Sequence, residues 1–228
     1  MIGNVNKEGY NKLAPNFFDE KRITTSNFHE VTKDFFQHAV DTYVKKGNKI
    51  LELGPGKDWL TRNIIFPEVD YYKIEIAEQM IEDSRNTSIA SVDAMPFEEE
   101  DFDYIFSSLG DPYFYEEALK EICRVLKKNG LFIFSAPSHE WAKGLRGNKQ
   151  MSTFIDEGKE INVYSFTYSN TDMRNLWRKC GFTPIMIQDC FGSGINGDIS
   201  KDVIKSANNL SLDYRDLSIA TVAVFKKL

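Results

Sequence analysis

At 228 residues, with 42% apolar and 27% charged positions, the chain has the size and balance of a single soluble domain with a sizeable core. Its formal net charge of −6 argues against a nucleic-acid backbone or an anionic membrane as partner, and no run of about 18 apolar residues is present to span a bilayer. Cys123, Cys180 and Cys190 form no C-x-x-C pair and have no neighbouring histidines, which predicts a reducing, cytoplasmic setting with no disulfide frame and no metal site. Met1 to Asn11 lacks the apolar centre of a signal peptide.

Tyr10 to Arg22 is aromatic-rich, is broken by Pro15 and predicts a short helical arm. Asn27 and Glu30 read as the capping box of a helix with Phe28, Val31, Phe35, Ala39 and Tyr43 on one face, closed by Lys45, Lys46 and Gly47. Residues 1–47 thus make an N-terminal helical arm. Ile50-Leu51-Glu52-Leu53 reads as a buried parallel strand entering the turn Gly54-Pro55-Gly56-Lys57-Asp58. Glycine there lets backbone come close to a ligand, and Trp59 to Ile65 starts a helix. Strand, turn and helix make half of a nucleotide-type site. A dinucleotide fingerprint would need glycine at the position of Trp59, so nicotinamide and flavin are set aside.

Val69 to Ile76 predicts the second strand, and Glu75 near its end lies 23 residues past Glu52. A ribose-binding acid is expected about 20 residues beyond such a turn. Ala77 to Arg85 reads as a helix, Ser88 to Pro96 as the third strand with its exit at Asp93, and Phe97 to Asp101 as an acidic solvated loop. Phe102 to Leu109 is the fourth strand, whose ligand-side edge carries Ser107 and Ser108. Asp111-Pro112 reads as N-cap and N1 of a helix with Ala118, Leu119, Ile122, Val125 and Leu126 inward, closed by Lys127, Lys128 and Gly130.

Leu131 to Ala136 is the fifth strand. Pro137 to Gly158 reads as irregular and Asn162 to Tyr168 as extended, so 137–168 is expected to be a lid or substrate insertion. Thr171 is the expected cap of a helix with Met173, Leu176, Trp177 and Cys180 inward, ended by Gly181. Phe182 to Ile187, a polar loop at Gly192 to Gly197, a short helix at Val203 to Ala207 and a last strand at Leu217 to Phe225 complete the chain. A last strand entered without a full crossover runs antiparallel. The expected fold is one α/β domain over 1–228, a three-layer Rossmann-like sandwich around a seven-stranded, mostly parallel sheet.

Three segments carry a resemblance. Glu52-Leu53-Gly54-Pro55-Gly56 resembles motif I, E/D-x-G-x-G-x-G, of the class I S-adenosylmethionine (SAM) dependent methyltransferases, with Asp58 at the third glycine. Ile74 to Met80 resembles their second motif, G-x-D-x-S-x-x-M, with Glu75 at the Asp position. Ala118 to Phe134 (ALKEICRVLKKNGLFIF) looks like the matching block of the small-molecule, methyltransferase-11-like members. The likeness covers Ile50 to Ser138 in sequence and Tyr168 to Phe225 in the order of elements only.

The resemblance implies SAM as cofactor, cradled by Glu52, Gly54, Pro55, Gly56, Glu75, Ile76 and Met80. Asp93 would face the adenine amino group, with Ala94 and Met95 on the ring face and Ser107 and Ser108 at the strand edge. Tyr10 would close over the amino-acid end and Arg22 would pair with its carboxylate. The implied reaction is methyl transfer by in-line displacement. The protein then has to hold a nucleophile about 3 Å from the methyl carbon and exclude water.

A base is needed only where the nucleophile carries a proton. His139 is the candidate, with a solvated loop histidine as the competing reading. His29 is placed at the mouth and His38 on the surface. Tyr113, Tyr115 and Trp141 are the expected substrate contacts, within an aromatic group that adds Phe114, Phe154, Tyr164, Phe166 and Tyr168. Asp111-Pro112-Tyr113-Phe114 partly resembles the D/N-P-P-Y/F of base-amine methyltransferases but lacks the second proline. The reading is a cytoplasmic monomer or homodimer methylating a small organic molecule at O, N or C, without nucleic acid or membrane. Methylation of an RNA base or protein side chain, and a non-catalytic SAM-fold binding module, remain alternatives.

Overall fold

The structure is a computed structural model that describes residues 2–17 and 22–228. Its centre is a seven-stranded sheet in the order β3-β2-β1-β4-β5-β9-β8. The strands are β1 (Lys49–Leu53), β2 (Asp70–Glu75), β3 (Thr87–Ile89), β4 (Phe102–Ser107), β5 (Leu126–Pro137), β8 (Phe182–Phe191) and β9 (Ser218–Lys227). The first five pair in parallel, and β9 runs antiparallel between β5 and β8. A separate two-stranded sheet joins β6 (Met151–Asp156) to β7 (Lys159–Tyr164).

Side-chain alternation explains the layers. Leu51, Ile105, Phe132, Phe134 and Phe225 face one side, where α4 (Glu116–Val125) buries Leu119 and Ile122 and α6 (Asn170–Lys179) buries Met173 and Trp177. Ile50, Phe106, Ile133 and Val224 face the other, against Phe36 and Val40 of α2 (Ile23–Tyr43) and Leu60 of α3 (Trp59–Asn63). The helices α5 (His139–Arg146) and α7 (Lys201–Asn209) close one end through Trp141, Ala142, Val203 and Ala207. The helix α1 (Ile2–Leu13) lies on β7, where Asn6 Oδ1 accepts the Tyr164 amide at 2.7 Å.

Several elements differ from the sequence expectation. The arm begins earlier, as α1, and residues 18–21 of the expected arm lie outside the described residues. Asn27 caps nothing: α2 starts at Ile23, and the buried Asn27 amide donates to Asp198 O at 2.8 Å and accepts from Ser200 N at 2.9 Å. Of the helix expected over 77–85 only the 3-10 turn Glu78–Met80 forms. Asp83 instead takes the amide of Arg85 at 3.0 Å, and its carbonyl takes Lys73 Nζ at 2.8 Å, bonds that compete with helix.

Asp111 and Pro112 sit in a 3-10 turn, Asp111–Tyr113, and α4 starts only at Glu116. The Asp111 carbonyl accepts Phe166 N at 3.0 Å, which holds the turn out of the helix. That helix ends at Val125, before Gly130; β5 starts directly at Leu126, and Asn129, with φ 63°, lies in its irregular first part. Ser169, and not Thr171, caps α6 by accepting Asp172 N at 3.1 Å.

The segment 137–158 is regular. Ser138 Oγ accepts Trp141 N at 3.0 Å and starts α5, and Glu157-Gly158, with φ of 47° and 78°, turns β6 into β7. Two successive residues at positive φ are what a tight hairpin needs. Among the described residues no helix is long and apolar enough to cross a membrane, and no group of three or more His, Cys, Asp or Glu is placed to hold a metal.

Candidate functional site

The sheet order reverses between β1 and β4, and crevices in such sheets open at the C-terminal strand ends beside that reversal. Here the crevice is a cleft of about 960 Å³. Gly54 and Gly56 carry φ of 62° and 52° at its floor. A Cβ on Gly54 would run into the Tyr113 hydroxyl, so glycine is required there for space as well as for conformation. Asp58 replaces the third expected glycine and keeps the same left-handed backbone, φ 59°. Its carboxylate accepts Lys73 Nζ at 2.9 Å, and both side chains are buried. Asp tolerates this conformation better than most residues.

Two buried carboxylates flank the turn. Glu52 accepts the Tyr71 hydroxyl at 2.9 Å, and burial pushes its pKa up to about 8. Glu75 ends β2; its Oε1 accepts the amides of Ile76 and Ala77, each at 2.9 Å. Among the described residues its Oε2 has only the Gly56 amide at 3.4 Å, a weak bond, and burial raises this group too. Ser108 Oγ is buried in the cleft with no partner among the described residues. An under-supplied carboxylate and an orphaned hydroxyl suit a ligand bearing hydroxyl groups.

Of the expected cofactor residues, Tyr10, Arg22, Glu52, Gly54, Pro55, Gly56, Glu75, Met80 and Ser108 line the cleft; of the expected substrate residues, Tyr113 and Trp141 do. The others do not. Ile76 contributes its amide to Glu75, and the Ser107 hydroxyl donates to Leu53 O at 3.1 Å. Asp93 and Ala94 are exposed, and Asp93 accepts the Tyr115 hydroxyl at 2.9 Å, which ties Tyr115 away from the cleft. Met95 is in the core, its amide on Glu121 at 2.9 Å. His139 also stands outside: its neighbours Ser138 and Glu140 both bond Ser218, which pins the start of α5 to β9.

Arg22 is engaged by protein, its Nη2 on Asp156 at 3.2 Å and its Nε donating to Asn16 O at 2.7 Å. Phe114 and Phe166 are core, whereas Phe17, Phe28, Trp59 and Phe154 face the cleft. His29 lines it, stacked on Trp59 at 4.2 Å between centroids, and burial lowers its pKa to about 3, so it stays neutral. The sequence reading missed Asp111, Arg146 and Ser165, which meet at the far end. Asp111 had a competing cap reading, and the other two come from segments whose approach no local pattern encodes.

Residues 51–134 match the family described as "Methyltransferase domain". An uncharacterized protein of Methanocaldococcus jannaschii is 25% identical over 222 residues, covering 88% of this chain and 84% of that one. The human mitochondrial protein named arginine-hydroxylase NDUFAF5 is 25% identical over 197 residues, covering 78% of this chain, which spans 57% of that relative's length. A putative S-adenosylmethionine dependent methyltransferase of Listeria monocytogenes superposes with a TM-score of 0.61 at 16% identity, over 87% of this chain and 99% of that one.

Proposed function

We propose, for a chain whose residues 51–134 match the family described as "Methyltransferase domain", that the whole is a class I SAM-dependent enzyme methylating a small organic molecule at O, N or C. The observation that carries this reading is the shared cleft of about 960 Å³, where the glycine turn and Glu75 meet a far wall built from α1, α2, α5 and the β6–β7 hairpin. Ligand pockets run to about 1,000 Å³, so such a volume takes a nucleoside cofactor and one small partner.

The residues present fit the cofactor. The Glu75 Oε2 and the Ser108 hydroxyl would take the sugar hydroxyls, and Gly54, Pro55 and Gly56 would let the amino-acid end approach the backbone. Met80 would pack on the base, and Tyr10 would cover the site from α1. SAM, when bound, supplies a methyl group on an already activated sulfonium. The protein's share is therefore placement and the exclusion of water, and placement alone is worth several powers of ten in rate. Tyr113 over Gly54, and Trp141 with Phe154 on the far wall, would hold the acceptor.

Calorimetry and thermal shift with SAM and with S-adenosylhomocysteine test the cofactor. Saturation at about 100 Kd is expected to stabilise the fold by about 2.7 kcal/mol, and no shift with either ligand overturns the reading. Incubation of a cell extract with methyl-labelled SAM tests the acceptor. Label is expected in the low-molecular-weight fraction; label confined to precipitated protein or RNA overturns the small-molecule assignment.

A further inference from the structure

The far end of the cleft holds a carboxylate that the fold does not use. Asp111 is 6% exposed, caps no helix and makes no ion pair among the described residues. The donors it has are its own amide and the Ser165 hydroxyl. Arg146 stands beside it yet is spent elsewhere: Nη1 on Ser152 Oγ at 3.0 Å, Nη2 on Ser165 Oγ at 2.9 Å and Ser165 O at 3.1 Å, with Nε buried and unpartnered. Ser165 thus receives from Arg146 and stands beside the Asp111 carboxylate, whose charged form it favours, while acceptor capacity is left toward the cleft.

The position of this group along the cleft is set by two phenols. Tyr10 from α1 and Tyr113 from the 3-10 turn each feel the charge of both Glu75 and Asp111, and neither hydroxyl has a hydrogen-bond partner among the described residues. Glu75, Asp111, Tyr10 and Tyr113 thus line one cleft, with the Tyr113 hydroxyl over Gly54 of the glycine turn. A ligand whose sugar sits on Glu75 shares that cleft with Asp111. The charged and titratable groups around Asp111 are Tyr10 from α1, Tyr113 from its own turn, Arg146 from α5 and, across the phenols, Glu75 from β2.

We propose that Asp111 is the proton acceptor for a protic substrate, an amine or a hydroxyl, bound between Tyr10 and Arg146, with Ser165 and Arg146 as positioning residues. The proposal rests on the methyltransferase reading and narrows it: carbon acceptors without an acidic proton are excluded. The step balances with no further reagent. The acceptor's lone pair becomes its bond to the methyl carbon, the pair of the breaking C–S bond stays on sulfur, and the acceptor's N–H or O–H proton passes to an Asp111 Oδ. Proton transfer to a placed carboxylate contributes about 10² to 10⁴ in rate.

Binding tests the geometry before any substrate is known. Sinefungin carries an ammonium where SAM carries its methyl group; S-adenosylhomocysteine carries neither. Apart from the carbon that replaces sulfur in sinefungin the two share every group, so the change of their affinity ratio with pH and with substitution at Asp111 reports what faces that position. Wild-type protein is expected to prefer sinefungin at least tenfold at pH 7.5, and to lose that preference by pH 5 as Asp111 takes up a proton. Asp111→Asn is expected to show no preference at either pH while binding S-adenosylhomocysteine within threefold of wild type. Ser165→Ala, which removes a donor to the ionised form, is expected to move the midpoint of the preference to higher pH, and it provides the test should Asp111→Asn fail to fold. A preference that is absent, or independent of pH, or intact in Asp111→Asn overturns the proposal. Failure of wild type to bind S-adenosylhomocysteine at all overturns instead the methyltransferase reading beneath it.

Discussion

The two sides of the cleft are made in different ways. The cradle side comes from 52–80 and is mostly backbone: three residues at positive φ, a strand end, and a carboxylate held by the amides next to it. The far side is assembled from distant segments by side chains: Asn6 on Tyr164, Arg22 on Asp156, Asn27 on Ser200, Arg146 on Ser165. Damage to the cradle should strike cofactor and fold together. Damage to the far side should strike the acceptor and spare the cofactor.

The sharpest way to break this contrast is Asp58→Gly, which puts glycine at the third glycine position of the motif that the turn resembles. Backbone alone would predict a gain. The structure predicts a loss of about 3 kcal/mol in urea unfolding, because Lys73 is left buried with its nearest partners the Asp83 carbonyl at 2.8 Å and the Asp83 carboxylate at 3.9 Å. An unchanged unfolding midpoint would show that the ion pair is idle.

Proton linkage comes next, with opposite signs on the two sides. Glu52 is raised to about 8, so its stabilising contribution is complete below the ordinary carboxylate range and is lost as pH rises through 8. Glu52→Gln is expected to recover about 3 kcal/mol at pH 8 relative to pH 5. His29 is lowered to about 3, so its contribution is complete above the ordinary histidine range and is lost as pH falls toward 3; His29→Asn should flatten that acid limb. Parallel pH profiles for the two variants would erase the distinction.

Glu75→Ala is expected to weaken S-adenosylhomocysteine more than tenfold, about 1.4 kcal/mol or more, read by calorimetry. Unaltered affinity would move the sugar elsewhere. Arg22→Ala should do least to the cofactor: Arg22 is engaged by Asp156 at 3.2 Å and by the Asn16 carbonyl at 2.7 Å, so cofactor affinity stays within threefold. A large effect on cofactor binding would tie the far side to the cradle.

The same contrast decides what could be read in the residues. Glu52, Gly54, Gly56 and Glu75 were legible because their partners lie in the same stretch and a glycine turn announces itself. The seven mostly parallel strands and the antiparallel β9 followed from the succession of elements. His139 misled because a ligand-side strand end was legible but the two bonds to Ser218 were not. Asp111 misled in the opposite way. Asp-Pro before an apolar stripe is good cap chemistry, and only the Phe166 amide, more than fifty residues on, takes it out of the helix. Glu157-Gly158 was a readable hairpin signal passed over inside a segment taken as irregular.

The bond between Asp58 and Lys73 has a consequence for how such chains are recognised. A glycine traded for an acid is tolerable here because a cation fifteen positions downstream, on the neighbouring strand, answers it. The two letters are then one unit of inheritance: either changed alone strands a charge indoors, and both changed together leave the turn as it was. A pattern scored by glycines alone marks this chain down for a departure that its second strand has already made good.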